Sequence, residues 1–276
     1  MVPRTLRYRV PMIGPLEVRL PSGRSLRLQS DATNSEVQRM HLDGIGDWEA
    51  PTLAIFVPLA RRARTVIDVG AHTGMFALIA AAENPSLHVY AFEPAPPIFA
   101  RLSANVRANP QAKVTAIPAA ASESDGTTKL YIPPGHLPTE SSLYSGFRSG
   151  AVPVDVETMR LDSFVEKHGI RNVDFMKIDA ELYEASVIAG AMDLIRRDLP
   201  LIICEVLADV NADVLHQHLD PLGYRYFSIT AGGLVPQERL QGDRTYHDLN
   251  FLFVPESKLE LLREAGLPMA QTAPTA

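Results

Sequence analysis

Short apolar, β-branched runs alternate along the chain with segments whose apolar residues recur at helical spacing. The apolar runs lie at residues 65–69, 87–92, 114–117, 173–179 and 201–206. Continuous runs of this kind are typical of strands that are buried on both faces of a parallel sheet. After the second run, Ile98, Leu102 and Val106 form one apolar stripe of a helix. The alternation therefore predicts an α/β sheet with helices on both faces.

Two later runs, residues 224–229 and 249–254, lie too close together for a helical crossover, so they predict an antiparallel pair. With the five earlier runs they predict a seven-stranded sheet whose last strand is antiparallel. Upstream, strands on either side of residues 21–24 predict a hairpin. The predicted organisation is a hairpin and cap segment over residues 1–50, a main domain over 51–256, and a C-terminal helix and disordered tail over 257–276.

A glycine turn follows the first strand of the main domain. The strand contains Asp68 and ends before Gly70, and Thr73 and Gly74 precede an apolar, helix-permissive segment from Met75. Glycine lets a ligand approach the backbone, and the start of the helix offers free N–H groups and the positive end of its dipole. The turn therefore predicts a site for an anionic group, such as the carboxylate of an amino acid.

The spacing of the turn disfavours a dinucleotide. The dinucleotide fingerprint is G-x-G-x-x-G, but His72 and Met75 stand where the second and third glycines belong. A smaller group, such as the amino-acid end of S-adenosylmethionine, fits this spacing better. An NAD(P)-dependent oxidoreductase remains the alternative enzyme class, and a β–α turn whose glycines serve packing alone is the structural alternative.

An acidic residue closes the second strand. Glu93 lies 25 residues after Asp68 and is followed by Pro94. A carboxylate at this position can accept both ribose hydroxyl groups of an adenosine. Residues 118–121, a predicted loop after the third strand, contain Ala120 and leave room for an adenine against small side chains. These residues predict a nucleoside site beside the glycine turn.

Polar residues also mark the ends of the fourth and fifth strands. Lys177 and Asp179 share one face of a strand, and Glu205 lies near the end of the next. One interpretation is a structural ion pair of Lys177 with Asp179 or Glu205. The other is an acceptor pocket bordered by Asp179 and Glu181, with Lys177 as part of the catalytic group.

Several side chains are candidates for assisting the chemistry at this edge. The start of the last strand returns here, so His247 is a candidate general base and Asn250 a candidate substrate contact. A magnesium ion held by Asp179, Glu181 and Glu205 is a less favoured alternative, and no His/Cys cluster suggests zinc. We therefore expect no metal.

Composition narrows the class of protein. The chain has 276 residues, a net charge of −6, and 46% hydrophobic residues. The absence of a basic bias argues against nucleic acid as the main partner. A single cysteine, Cys204, fits a reducing compartment, and neither a long apolar span nor a signal-peptide core is evident. We expect a cytoplasmic protein without a membrane partner.

Four segments together resemble the FkbM family of S-adenosylmethionine-dependent methyltransferases. They are residues 66–74, 92–94, 158–164 and 173–181, with weaker marks at Trp48-Glu49, at Ser141-Ser142-Leu143 and at residues 250–254. The resemblance covers about residues 44–254. The family usually has glycine after the glutamate of the last strong segment, whereas this chain has Leu182.

The resemblance implies a class I, Rossmann-like methyltransferase fold with S-adenosylmethionine as cofactor and S-adenosylhomocysteine as product. It implies O-methylation of a hydroxyl, or of a carboxyl, on a sugar or secondary metabolite. Glu49, at the cap segment, is then a cofactor candidate together with His72, and Ser141, Ser142 and Glu205 are substrate candidates. The acceptor is a small molecule, and a homodimer is compatible with the family. A catalytically degenerate binding subunit is the non-enzymatic alternative.

Overall fold

The computed structural model describes residues 11–31, 35–133, 143, 150–207, 211–243, 245 and 247–270. The substrate candidates Ser141 and Ser142 lie outside the described residues.

The N-terminal unit is a hairpin that is fixed to the main domain by side-chain amides. Gly14–Arg19 (β1) and Ser25–Ser30 (β2) pair antiparallel, and Ser35–Asp43 (α1) packs beside them. Asn105 Oδ1 accepts from Gln29 N at 2.7 Å, and Asn109 Oδ1 accepts from Arg27 N at 2.8 Å. These bonds satisfy the free edge of β2, which would otherwise expose unpaired backbone groups.

The main sheet contains eight strands within the described residues. Its parallel half comprises β3 (Thr65–Val69), β4 (His88–Phe92), β5 (Val114–Ile117), β9 (Phe175–Ile178) and β10 (Leu201–Glu205). Its other half comprises β11 (Tyr224–Thr230), β12 (Gly233–Gln237) and β13 (Asn250–Pro255). The order across the sheet is β12-β11-β13-β10-β9-β3-β4-β5.

The predicted count of seven strands is therefore wrong by one. The additional strand is β12, which forms a hairpin with β11 through Thr230 and Gly233. The predicted antiparallel pairing between the runs at 224–229 and 249–254 is present, but β12 stands between them in the chain. β13 also runs antiparallel to β10.

A second, three-stranded sheet lies beside the carboxyl edge of the main sheet. It consists of Ala119–Ala121 (β6), Gly126–Ile132 (β7) and Val152–Met159 (β8), in the order β6-β8-β7. Residues 119–121 were predicted as a loop, but they pair in parallel with Glu157–Met159. The alanines thus form one wall of the site instead of a flexible connection.

Helices cover both faces of the main sheet. They are α2 (Ala50–Ala60), α3 (Met75–Glu83), α4 (Pro96–Ala108), α5 (Leu161–Lys167), α6 (Glu184–Ala189), α7 (Met192–Asp198), α8 (Ala212–Leu219) and α9 (Glu260–Glu264). Two large apolar clusters fill the spaces between helices and sheet, one on each face. None of the helices in the described ranges is both long and apolar enough to cross a membrane.

Candidate functional site

A cleft opens where β3, β4 and β9 end at the carboxyl edge of the sheet. Parallel sheets bind ligands at this edge, where the strand order reverses. Seven of the residues predicted for the site line the cleft, namely Gly70, His72, Glu93, Pro94, Ala120, Asp179 and Glu181. Further described residues also line it, among them Ile98, Leu130 and Tyr183. The structure thus brings together the glycine turn, the acid after β4 and the loop after β9.

The turn after β3 is built so that two backbone segments touch. Gly70 has φ +70°, and a Cβ placed on it would lie 1.7 Å from the carbonyl oxygen of Asp179. Ala71 N donates to Phe92 O at 2.9 Å, which joins the turn to the end of β4. Gly74 has φ +85°, and α3 begins at the next residue. Only glycine fits at position 70, for conformational and steric reasons together.

Glu93 is held in a fixed orientation by backbone donors. His72 N donates to its Oε2 at 3.0 Å and Ala95 N to its Oε1 at 2.8 Å. The residue is 5% exposed, and burial raises the pKa of its carboxyl to about 7 in spite of these two donors. Each carboxylate oxygen keeps a lone pair that can accept a hydroxyl from the cleft.

Asp68 is completely buried beneath the turn. Neither of its carboxylate oxygens has a hydrogen-bond partner in the described part of the chain. Burial raises the pKa of Asp68 to about 6, although the neighbouring charge of Lys177 opposes this shift. Buried polar groups without partners are rare in native proteins, so Asp68 is a candidate for a functional role.

Lys177 provides the positive charge among these acids. It is 3% exposed, its Nζ lies 3.0 Å from Asp179 Oδ2, and the same atom lies 4.7 Å from the ring centre of Phe76. Burial lowers the pKa of Lys177, but the charges of Asp179, Asp68 and Glu49 raise it more, so the pKa is above its ordinary value. The side chain is therefore a stable cation, as the ion-pair interpretation requires, and its catalytic role stays a prediction.

Glu205 and Glu184 extend the acidic edge beyond Asp179 and Glu181. Burial raises the pKa of Glu205 well above its ordinary value, and the charges of the three other acids add to this shift. Glu184 is 4% exposed, and its Oε1 accepts from Ala180 N at 3.0 Å and from Leu182 N at 3.2 Å. Glu184 thus shapes the loop after β9. Sequence reasoning missed it, and its only signal was an acid three residues after the segment over residues 173–181.

The remaining predicted residues lie around the cleft without lining it. Thr73 accepts a hydrogen bond from Asn105 Nδ2 on its carbonyl oxygen, and Asn250 Nδ2 donates to Thr52 Oγ1 at 3.2 Å. His247 is exposed, with Nδ1 2.8 Å from the carbonyl oxygen of Thr245. Its role as general base is untested. Within the described ranges, no three His, Cys, Asp or Glu side chains are grouped so as to hold a metal ion.

Leu182 occupies the position where glycine was expected, and it has φ +82°. A left-handed backbone costs a residue with a Cβ about 1–2 kcal/mol. The turn persists because Glu184 accepts from Leu182 N and because Asn211 Nδ2 donates to Leu182 O at 2.8 Å. The side chain therefore strains the loop without changing the hydrogen bonds that define it.

We expect Leu182→Gly to be more stable than Leu182→Ala by about 1 kcal/mol. Both variants lose the leucine side chain, but only glycine relieves the strain at this φ. Chemical denaturation measures the difference. At Leu53, a half-buried residue inside α2, the order reverses, since alanine is favoured over glycine in a helix by about 1 kcal/mol. If the glycine variant were more stable than the alanine variant at both positions, the backbone strain inferred at Leu182 would be contradicted.

Comparison with known proteins places these features in context. The model of the methyltransferase FkbM domain matches residues 68–226. The 31-O-demethyl-FK506 methyltransferase FkbM of Streptomyces tacrolimicus is 31% identical over 179 residues, which cover 53% of this chain and 65% of that protein. The AMB antimetabolite synthetase AmbE of Pseudomonas aeruginosa is 28% identical over 249 residues, 74% of this chain and 11% of that protein. The chain thus spans less than two thirds of the length of either relative.

Among solved structures, methyltransferase FkbM from Methylobacillus flagellatus aligns with a TM-score of 0.45 and 16% identity. The alignment covers 81% of this chain and 54% of that one.

Proposed function

Because the chain belongs to the FkbM family of methyltransferases, we propose that it transfers a methyl group from S-adenosylmethionine to an oxygen of a small molecule. The acceptor is a hydroxyl, or a carboxyl, of a sugar or secondary metabolite. The single observation that carries the cofactor assignment is Glu93, which is buried at the end of β4 with both oxygens oriented by backbone N–H groups.

The cleft offers one partner for each part of this cofactor. The free lone pairs of Glu93 accept the two ribose hydroxyl groups, and Ala120 and Ile98 provide an apolar wall for the adenine. The amino-acid end then extends past Gly70 toward the first turn of α3. There the free N–H groups of the helix suit its carboxylate.

Two observations support an oxygen acceptor. The relative from Streptomyces tacrolimicus is named as a methyltransferase of 31-O-demethyl-FK506, which places its acceptor atom on oxygen. In this chain the rim next to Asp179 carries several carboxylates, and a hydroxyl needs a base to take its proton as the new bond forms.

The chemical step is an in-line displacement. The acceptor oxygen forms a bond to the methyl carbon while the bond between that carbon and the sulfonium sulfur breaks. S-adenosylhomocysteine leaves, and the acceptor proton passes to the protein. We assign this proton to Glu205, which follows Cys204 at the end of β10, where Cys204 pairs with Ile178 directly before Asp179. Burial and the neighbouring acids raise the pKa of its carboxyl toward the range that suits a general base. Asp179 and Glu181 then orient the acceptor.

Glu205→Gln is expected to lower kcat by roughly 10²–10⁴-fold, the usual contribution of a general base. Affinity for S-adenosylhomocysteine stays near that of the wild type, because Glu205 does not line the cofactor cleft. Turnover kinetics and isothermal titration measure the two quantities. Glu166→Gln, at an exposed position of α5, controls for the loss of a charge. Full turnover in Glu205→Gln would reassign the proton to another group.

Labelling of the acceptor tests the proposed reaction directly. The enzyme is incubated with S-adenosylmethionine carrying a labelled methyl group and with a panel of hydroxylated sugars and macrolide alcohols. Label that resists alkali identifies a methyl ether, and label released as methanol identifies a methyl ester. Wild-type protein that binds neither S-adenosylmethionine nor its product in titrations would refute the proposal.

A further inference from the structure

His216 is a buried histidine of α8 that the proposed reaction does not use. Its Nε2 accepts a hydrogen bond from Leu240 N at 2.9 Å, and its Nδ1 lies 3.0 Å from Asp220 Oδ1. A backbone N–H can only donate, so Nε2 carries no proton and Nδ1 donates to the carboxylate. The imidazole is therefore neutral in this structure, and its one proton is on Nδ1.

Two neighbours hold the imidazole in this orientation. Tyr226 OH donates to Asp220 Oδ1 at 2.6 Å, and the rings of Tyr226 and His216 pack edge to face with centroids 4.8 Å apart. Burial acts to raise the pKa of Asp220, but hydrogen bonds from Tyr226 and His216 outweigh it, so this pKa is below its ordinary value. Asp220 is thus a stable acceptor for Nδ1 near neutral pH.

The hydrogen bond to Leu240 fixes a segment that leads back to the acceptor side of the sheet. Three residues after Leu240, Asp243 Oδ2 accepts from His247 N at 3.0 Å. Two residues after His247, the carbonyl oxygen of the residue before β13 accepts from Val206 N at 2.9 Å. Val206 directly follows Glu205, the proposed base. A continuous set of hydrogen bonds therefore connects the imidazole with the end of β10.

We propose that His216 is a positioning residue that acts as a pH-sensitive latch: in its neutral form it holds residues 238–243 against α8, and on protonation it releases them. The second proton can be placed only on Nε2, which faces the N–H of Leu240. Two donors then oppose each other, and the hydrogen bond is lost. Asp220 remains as the partner of the imidazolium in the released state. Acid thus loosens the protein next to Glu205.

Other titratable and charged side chains lie on the elements that pack against His216. Burial raises the pKa of Glu184 on α6 to about 7, so this acid titrates in the same range as a histidine and is kept in every variant below. Burial also raises the pKa of Tyr224 and Tyr226 on β11, so both stay neutral. In the described part of the chain the others include Asp213 and His218 on α8 and Glu238, Arg239 and Asp243 in the latched segment.

Amide hydrogen exchange followed by NMR tests the latch in the full chain, without cofactor or acceptor. In the wild type, the protection factors of the Leu240 and Val206 amides are expected to fall together by about tenfold per pH unit once the imidazole takes up its proton, since release binds one proton. Histidine side chains change charge between about pH 8 and 5. In His216→Gln, an amide oxygen accepts from Leu240 N at every pH, so both protection factors are expected to stay constant.

His218→Gln is the matched control, since His218 is a half-buried histidine two residues further along the same helix. It is expected to keep the pH response of the wild type. Nitrogen NMR shifts of the wild-type imidazole at neutral pH report the tautomer even if a variant does not fold, and a proton on Nδ1 alone is expected. Constant protection of either amide in the wild type, a full response in His216→Gln, or a proton on Nε2 at neutral pH overturns the inference. None of these outcomes depends on methyl transfer.

Discussion

Replacing Gly70 with alanine is expected to abolish cofactor binding and turnover and to destabilise the fold. The new methyl group would lie 1.7 Å from the carbonyl oxygen of Asp179, at a φ of +70°. Neither strand end can move away, because Asp179 N donates to Val69 O at 3.1 Å and both strands lie inside the sheet. We expect a loss of more than about 3 kcal/mol in the free energy of unfolding.

Gly169 provides the control for this substitution. It has φ +63°, but a Cβ there would have no atom within 4 Å. Gly169→Ala therefore carries only the conformational cost, about 1–2 kcal/mol, and keeps wild-type affinity for S-adenosylhomocysteine. Urea unfolding and titration of both variants separate backbone strain from the clash. A Gly70→Ala protein with normal stability and normal affinity would show that the two backbones do not touch.

Glu93→Ala is expected to weaken binding of S-adenosylhomocysteine by at least about 100-fold, since it would remove the two charge-assisted hydrogen bonds that we propose to the ribose. It also leaves His72 N and Ala95 N without their acceptor. Because the pKa of Glu93 is about 7 and its ionised form is the better acceptor, wild-type affinity should rise as the pH increases through this value. The rise should disappear in the variant.

A second buried glutamate serves as the comparison. Glu83 is 6% exposed and binds Ser22 and Arg61, away from the cleft. Glu83→Ala is expected to lower stability while the folded protein keeps its affinity for S-adenosylhomocysteine. Equal affinities in the Glu93 and Glu83 variants would remove Glu93 from the ribose site.

The sequence predicts the part of the site that local patterns determine. Residues 66–74 combine a strand, a glycine turn and a helix start within one continuous segment, and the structure places each of them as expected. Glu93 follows the next strand, so its position at the same edge comes from the parallel alternation of strands and helices. The resemblance to the FkbM family, which rested on these segments, is confirmed by the match over residues 68–226.

Contacts between distant segments explain the main differences between the predicted and the observed secondary structure. The strand β12 begins at Gly233, directly after Gly232, and contains Pro236, all residues that disfavour a strand; it exists because β11 supplies a partner. Ala119–Ala121 has weak intrinsic preference for a strand and is ordered by pairing with residues 157–159. In both cases the stabilising partner is not visible in the local sequence.

The segment over residues 185–197, which by its sequence alone predicts one continuous helix, shows the same limit. It is divided into α6 and α7 at Gly190, where a Cβ would lie 1.9 Å from the carbonyl oxygen of Ser122. A loop from another part of the chain therefore decides where the helix ends. Glu184 was missed for a related reason. Its role is to accept hydrogen bonds from two backbone N–H groups of the loop after β9, and the sequence does not show these contacts.

The contact of Gly70 with the backbone of Asp179 fixes the turn assigned to the cofactor relative to the loop that faces the acceptor. The two segments therefore already have a fixed relative position before either ligand binds. Aligning two reactants for an in-line reaction costs translational and rotational entropy, on the order of 7–11 kcal/mol when nothing restrains them. Folding orders the two protein segments once, so in each catalytic cycle binding has to remove only the freedom of the ligands themselves.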